Sequence, residues 1–176
     1  MKTRKVAKSV RNYRALHKYI GLVIALIVFV SALTGVLLAW KKQSELLQPP
    51  TLSGISTNAT NFASVEDMVK SAVDAVDTLG LTKENLDRLE YRATKGIAKA
   101  IFDKDNWEVQ LDATSLEVLS VAKRHSDWIE QIHDGSIISE VFKVTSMNIL
   151  GIGLIFLVGS GIWLYYGPKK IKKLKR

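Results

Sequence analysis

Residues 19–40 read YIGLVIALIVFVSALTGVLLAW, twenty-two positions without a charge. At about 1.5 Å of rise per residue, a helix of that length is roughly 33 Å long and crosses a hydrocarbon core of about 30 Å. A buried helix of a soluble core would not need so long a run without a polar face. The basic front of this stretch also suits a signal peptide. Its apolar run, however, exceeds the roughly 7–15 residues of a signal core, and LTGVLLAWKK offers no small-x-small cleavage site before Lys41. Residues 144–166, VTSMNILGIGLIFLVGSGIWLYY, form a second uncharged run of similar length. Two spans are therefore expected.

Charge is distributed around those runs in a way that predicts orientation. Met1 to Lys18 holds seven Lys/Arg and no acid, and Lys169 to Arg176 holds six and no acid. All seventeen Asp/Glu lie between Glu45 and Glu140. Short basic flanks stay in the cytoplasm, so both ends are expected inside and the acidic middle outside. Trp40 is expected at the outer interface, and Trp163, Tyr165 and Tyr166 at the inner one. Gly167 and Pro168 are expected to end the second helix, because proline lacks the amide that would continue it. The net charge of +8 does not indicate nucleic acid, since each basic cluster abuts an apolar run and no basic folded face is formed. The chain has no cysteine, which excludes disulfides, thiolate-bound zinc or iron–sulfur clusters, and thiol catalysis.

Between the spans, the first helix is expected to run on through KKQSELLQ and stop at Pro49–Pro50, with Thr51 to Asn61 as a polar linker. Ser64, followed by Glu66 and Asp67, opens a helical pattern of Val65, Met68, Val69, Ala72, Val73 and Val76 that Gly80 closes. From Leu89 the period changes. LEYRAT, IAKAIF, WEVQLDA and EVLSVAK alternate partially and are separated by turn residues, which predicts a small antiparallel sheet under one helix. Ile97, Ile101, Trp107, Val109, Leu111, Val118 and Leu119 are expected in its core. The fold class is thus membrane α+β: a cytoplasmic tail 1–18, span 19–40, linker 41–61, domain 62–124, connecting segment 125–143, span 144–166 and tail 167–176.

The run WEVQLDATSLEVLSVAK resembles the end of a PepSY domain, with Asp112–Ala113 as the strand-ending pair and Ser115 or Leu116 where that family often has glycine in the turn. Leu16-His17-Lys18-Tyr19-Ile20-Gly21 with Leu33-Thr34-Gly35 resembles the first helix of the PepSY-associated transmembrane family. Ile132-His133-Asp134-Gly135 with Gly159-Ser160-Gly161-Ile162-Trp163 resembles its returning helix. The resemblance implies a protein of the bacterial cytoplasmic membrane with an extracytoplasmic PepSY-like domain. Larger relatives are associated with ferric-siderophore reduction and hold b-type heme through helix histidines. It therefore implies His17 and His133 as heme axial ligands, and a ferric-reductase-like role in iron uptake, passing electrons outward to ferric iron or a ferric chelate. Arg14 and Lys18 could meet the heme propionates.

Of the three histidines, His125 matches no motif position. His17 and His133 are expected at opposite faces of the bilayer, so one heme cannot take both from one chain. Either a homodimer or larger membrane assembly pairs each histidine with its counterpart, or residues 125–142 lie on the outer surface and another protein supplies the partner. Small residues at Gly21, Gly35, Gly151, Gly153, Gly159 and Gly161 allow close helix packing, and Thr34, Thr145 and Asn148 suit interhelical hydrogen bonds. Met147 is a soft donor better explained by packing. No hydrolase motif is present. The alternative function is a membrane-anchored interaction module, in which the PepSY-like domain binds or restrains an extracytoplasmic protein or peptidase.

Overall fold

The computed structural model describes residues 2–175; Met1 and Arg176, at the tips of the two basic ends, lie outside the described residues. Two compact units are present among the described residues, 2–36 with 130–175, and 37–129.

The first unit is built on α1 (Lys2–Ala39) and α4 (Glu140–Lys175), both long and apolar enough to cross a membrane. They meet along a seam with a seven-residue repeat running in opposite directions on the two helices. A Cβ on Gly167 would lie 2.5 Å from Val10 Cγ2, one on Gly161 would lie 3.8 Å from His17 Cε1, and one on Gly153 would lie 3.1 Å from Ile24 Cδ1. On α1 these positions step from 10 to 17 to 24. On α4 the facing residues at 167, 160 and 153 are Gly, Ser and Gly. A heptad step keeps one stripe of each helix turned to the other, and small residues let the backbones approach where lipid offers no competing hydrophobic drive. Gly151 and Gly159 are off the seam, with nothing near the place a Cβ would take. Asn148 donates to Val144 O of its own helix and Thr145 is exposed, so of the three polar residues expected to bridge helices only Thr34 does so.

Both expected helix ends differ. Residues 40–43 close in tight turns, Trp40 N donating to Leu37 O and Gln43 N to Trp40 O, so α1 stops at Ala39 rather than at Pro49. The released chain instead reaches the sheet, described below. At the far end α4 passes through Pro168 to Lys175. A proline forfeits one backbone bond and crowds the preceding turn, but the lysines and leucine that follow are good helix formers and the helix resumes.

In the second unit, α2 (Val65–Val76) packs on a four-stranded antiparallel sheet of order β1-β2-β3-β4, formed by Leu86–Arg92, Ile97–Phe102, Trp107–Asp112 and Val118–Lys123. Ser64 caps α2, its hydroxyl accepting from Asp67 N at 3.1 Å. Register pairs Ala98 with Leu111, Ala100 with Val109 and Phe102 with Trp107. Their side chains share the face that packs with Met68, Ala72 and Val76 of α2. Ile97 and Ile101 are buried as expected, but on the opposite face, since side chains alternate along a strand. Val118 is 41% exposed because β4 is an edge strand, which corrects its expected place in the core. The turn after Asp112–Ala113 places Leu116 at φ 66, the left-handed region that favours glycine.

The opposite face of the sheet is polar and covered. Glu108, Gln110 and Asp112 of β3 are almost wholly buried there beside Lys99 of β2. Gln110 holds a strap of chain from both sides: Leu52 N donates to its Oε1 at 3.0 Å and its Nε2 donates to Pro50 O at 2.9 Å. Ile55 N donates to Asp112 Oδ2 at 2.6 Å. The expected linker is thus ordered against the sheet from Pro50 to Ile55.

Candidate cofactor site

His17 lies on α1, two residues before its uncharged run, and faces α4. Its Nδ1 is 2.7 Å from Ser160 Oγ. Ser160 is buried and its hydroxyl donates its one proton to Leu157 O at 3.1 Å, as a serine within a helix can. With that proton on Leu157 O the Ser160 oxygen accepts from His17, an arrangement that goes with hydrogen on Nδ1 and a lone pair on Nε2.

His133 is the ninth residue of α3 (His125–Asp134). Its Nδ1 is 2.9 Å from Thr34 Oγ1 of α1. Thr34 is buried, and its hydroxyl donates to Val30 O at 2.7 Å and lies 3.2 Å from Ser31 O. With the Thr34 proton on Val30 O, the same arrangement goes with Nδ1 as donor toward Thr34 and a lone pair on Nε2. Among the described residues neither Nε2 has a hydrogen-bond partner.

The two sites share a construction. Each imidazole faces a hydroxyl residue followed by glycine on another helix, Ser160–Gly161 for His17 and Thr34–Gly35 for His133. The missing side chains leave room for the ring edges: a Cβ at Gly35 would lie 3.4 Å from His133 Cε1, and one at Gly161 would lie 3.8 Å from His17 Cε1. Thr34 lies seventeen residues beyond His17 on α1, so the two imidazoles lie about 26 Å apart along it. That separation agrees with the expectation that no single ligand can bridge them.

Around His133 the chain is further pinned. Ser31 Oγ donates to His133 O at 3.3 Å. Asp134 accepts from Ser136 N at 2.9 Å and pairs with Lys143 Nζ at 3.0 Å across the turn to α4. Burial pushes the Asp134 carboxyl up, but the bonds from Ser136 and Lys143 outweigh it and hold the group below the usual carboxylate range. Gly135 turns the chain at φ 84. A mostly apolar cavity of about 270 Å³ adjoins this site, lined in part by Val30, Ser31, His133, Phe142, Ser146 and Met147.

Arg14 and Lys18 are exposed and form no ion pair among the described residues, so the structure does not bring either to the His17 ring. Lys18, one residue on, projects roughly 100° around the helix from His17. His125 is exposed at the start of α3 and joins neither site. No group of three His, Asp or Glu side chains among the described residues is placed to hold a bare metal ion. Ser160 and the Thr34 pairing with His133 were not assigned from sequence. The signal was present only as the hydroxyl–glycine dipeptides inside Leu33-Thr34-Gly35 and Gly159-Ser160-Gly161.

The sequence model of one family, described as the PepSY-associated TM region, matches residues 14–176. No curated protein matches the chain.

Proposed function

Because the chain belongs to the PepSY-associated TM family, we propose that this membrane protein is an electron-transfer component that takes b-type heme and serves the reduction of ferric iron or ferric chelates during iron uptake. The observation that carries this reading is the state of the two imidazoles, each anchored through Nδ1 and each with an unengaged Nε2. A ligating histidine characteristically donates its other ring nitrogen to a fixed acceptor, which sets ring orientation and tautomer. The donor set therefore fits heme iron. Held by imidazoles of this kind, a b-type heme would supply reversible one-electron chemistry rather than oxygen activation.

The chain's own residues set the terms. His17 and His133 offer one nitrogen each at two levels about 26 Å apart, so each level needs a second imidazole. A second copy of the chain supplies both, making a homodimeric four-helix bundle with a site near each membrane face. The basic ends place His17 on the cytoplasmic side and residues 37–129 outside, which gives the path its direction from inside to outside. Arg14 and Lys18 remain available to propionates at the inner face through their flexible, exposed side chains.

The test is an absorption spectrum of the protein purified in mild detergent, before and after dithionite. A Soret band that shifts on reduction, and is lost in the His17→Ala/His133→Ala double variant, is expected. Absence of the band in wild-type protein refutes the reading.

A second reading, a membrane-anchored module that binds an extracytoplasmic protein or peptidase, is favoured by the edges of the sheet. β1 carries Asp87, Arg88, Glu90 and Arg92, whereas β4 presents Val118 and Val121, 41% and 36% exposed, with Lys123 as its only charge. Charged edges resist strand addition and uncharged ones accept it. Under this reading Val121→Lys abolishes function in cells while His17 and His133 substitutions are silent.

A further inference from the structure

We propose that Ser160 and Thr34 are positioning residues for the two imidazoles, and that their contributions are unequal: Ser160 alone sets His17, whereas Thr34 shares the setting of His133 with other contacts. The consequence for a bound heme rests on the function proposed above. The consequence for the rings does not.

Each hydroxyl has a single proton and a carbonyl of its own helix within reach to take it, Leu157 O for Ser160 and Val30 O for Thr34. What remains toward the ring is a neutral acceptor. A hydroxyl of this kind accepts from Nδ1–H and orients the ring without placing the charge of a carboxylate partner beside it. The glycine after each hydroxyl lets the ring lie against the facing backbone.

The sites differ in how many contacts hold the histidine. The His133 carbonyl accepts from Ser31, and the next residue, Asp134, is bound to Ser136 and Lys143. Those contacts persist if Thr34 loses its hydroxyl. Among the described residues, the one polar contact of His17 with another helix is Ser160. Removal of the Ser160 hydroxyl therefore frees both the tautomer and the orientation of its ring. Removal of the Thr34 hydroxyl frees the tautomer of His133 and leaves its place.

The test uses full-length protein labelled with ¹⁵N-histidine, produced without heme supply and held in detergent. His17→Ala and His133→Ala assign the ring signals, and exposed His125 serves as an internal reference. In wild-type protein both rings are expected as Nδ1–H. Ser160→Ala is expected to abolish that signature at His17 and sharpen its ring signal toward that of mobile His125. Thr34→Val is expected to abolish the signature at His133 without the sharpening. Ser160→Thr and Thr34→Ser are expected to restore it, which a merely structural loss would not allow. An unchanged His17 tautomer in Ser160→Ala, or equal mobilisation of both rings, overturns the proposal. If wild-type protein supplied with heme shows no Soret band, the functional reading fails and the ring assignment still stands or falls on its own signals. If heme binds and Ser160→Ala leaves its spectrum and midpoint potential unchanged, the positioning role fails and the function stands.

Discussion

Lys99 Nζ donates to Glu108 Oε1 over 3.0 Å with the two side chains 1% and 0% exposed. The second oxygen of Glu108 accepts from Arg124 Nη1 at 2.6 Å, and Gln110 Nε2 donates to Oε1 at 2.8 Å. Arg124 in turn binds Asp127 in the first turn of α3. One carboxylate thus satisfies two buried cations. Glu108→Gln leaves Lys99 without a carboxylate and Arg124 with Asp127 alone, and is expected to destabilise this unit by about 3–5 kcal/mol, the cost of breaking a buried pair from one side. Lys99→Met leaves Glu108 with Arg124 and Gln110 and is expected to cost much less. Thermal unfolding of full-length protein, followed by the fluorescence of Trp107 on β3, measures the difference.

Asp112 links acidity to the strap. Burial pushes its carboxyl up, but backbone amides of Ser115, Ile55 and Thr114 outweigh burial and hold it below the usual carboxylate range. A group whose folded value is depressed adds stability above the unfolded value of about 3.9, and that stability is lost as pH falls through the folded value. Wild-type protein is therefore expected to exceed Asp112→Asn in unfolding temperature at neutral pH. The gap should close progressively below about pH 4. A gap independent of pH would contradict the assignment.

Close backbone approach makes Gly54 and Gly96 irreplaceable together. A Cβ on Gly54 would lie 2.1 Å from Gly96 O, and one on Gly96 would lie 2.0 Å from Ser56 O at a residue whose φ is +66. Neither obstacle is a side chain that can rotate away. Alanine at either position is expected to lift residues 50–56 from the sheet, with a loss of about 3 kcal/mol, the upper end of overpacking costs. Limited proteolysis reads this directly, as new cleavage between residues 49 and 58.

The seam between α1 and α4 separates glycines that look alike in sequence. Gly167→Ala drives its methyl against Val10 at 2.5 Å, where a β-branched side chain has little room to turn. It is expected to lower the thermal stability of the helical unit by about 1–3 kcal/mol, and Val10→Ala is expected to restore part of that loss. Gly151→Ala meets nothing and is expected to be neutral or stabilising by up to about 1 kcal/mol through helix propensity.

The strands were legible because local alternation and turn residues report a sheet without reference to distant parts of the chain. IAKAIF and WEVQLD became β2 and β3 at their expected positions. Which face was core was less legible. Ile97 and Ile101 face away from α2, and the alanines between them, weak hydrophobic signals, form the helix-facing side. The polar stretch 51–61 read as a linker because its apolar content is low. It binds the sheet through backbone amides, which carry no trace in residue type.

Apolar length was enough to mark two helices able to cross a membrane, because the bilayer selects on hydropathy summed over some twenty residues. Resemblance to the family's motifs singled out His17 and His133. Their hydrogen-bond partners are Ser160 and Thr34, 143 and 99 residues away in the chain. Periodicity describes which way a side chain leaves its own helix. The partner that receives it is chosen by how two helices register against each other, and that follows from packing along the whole seam.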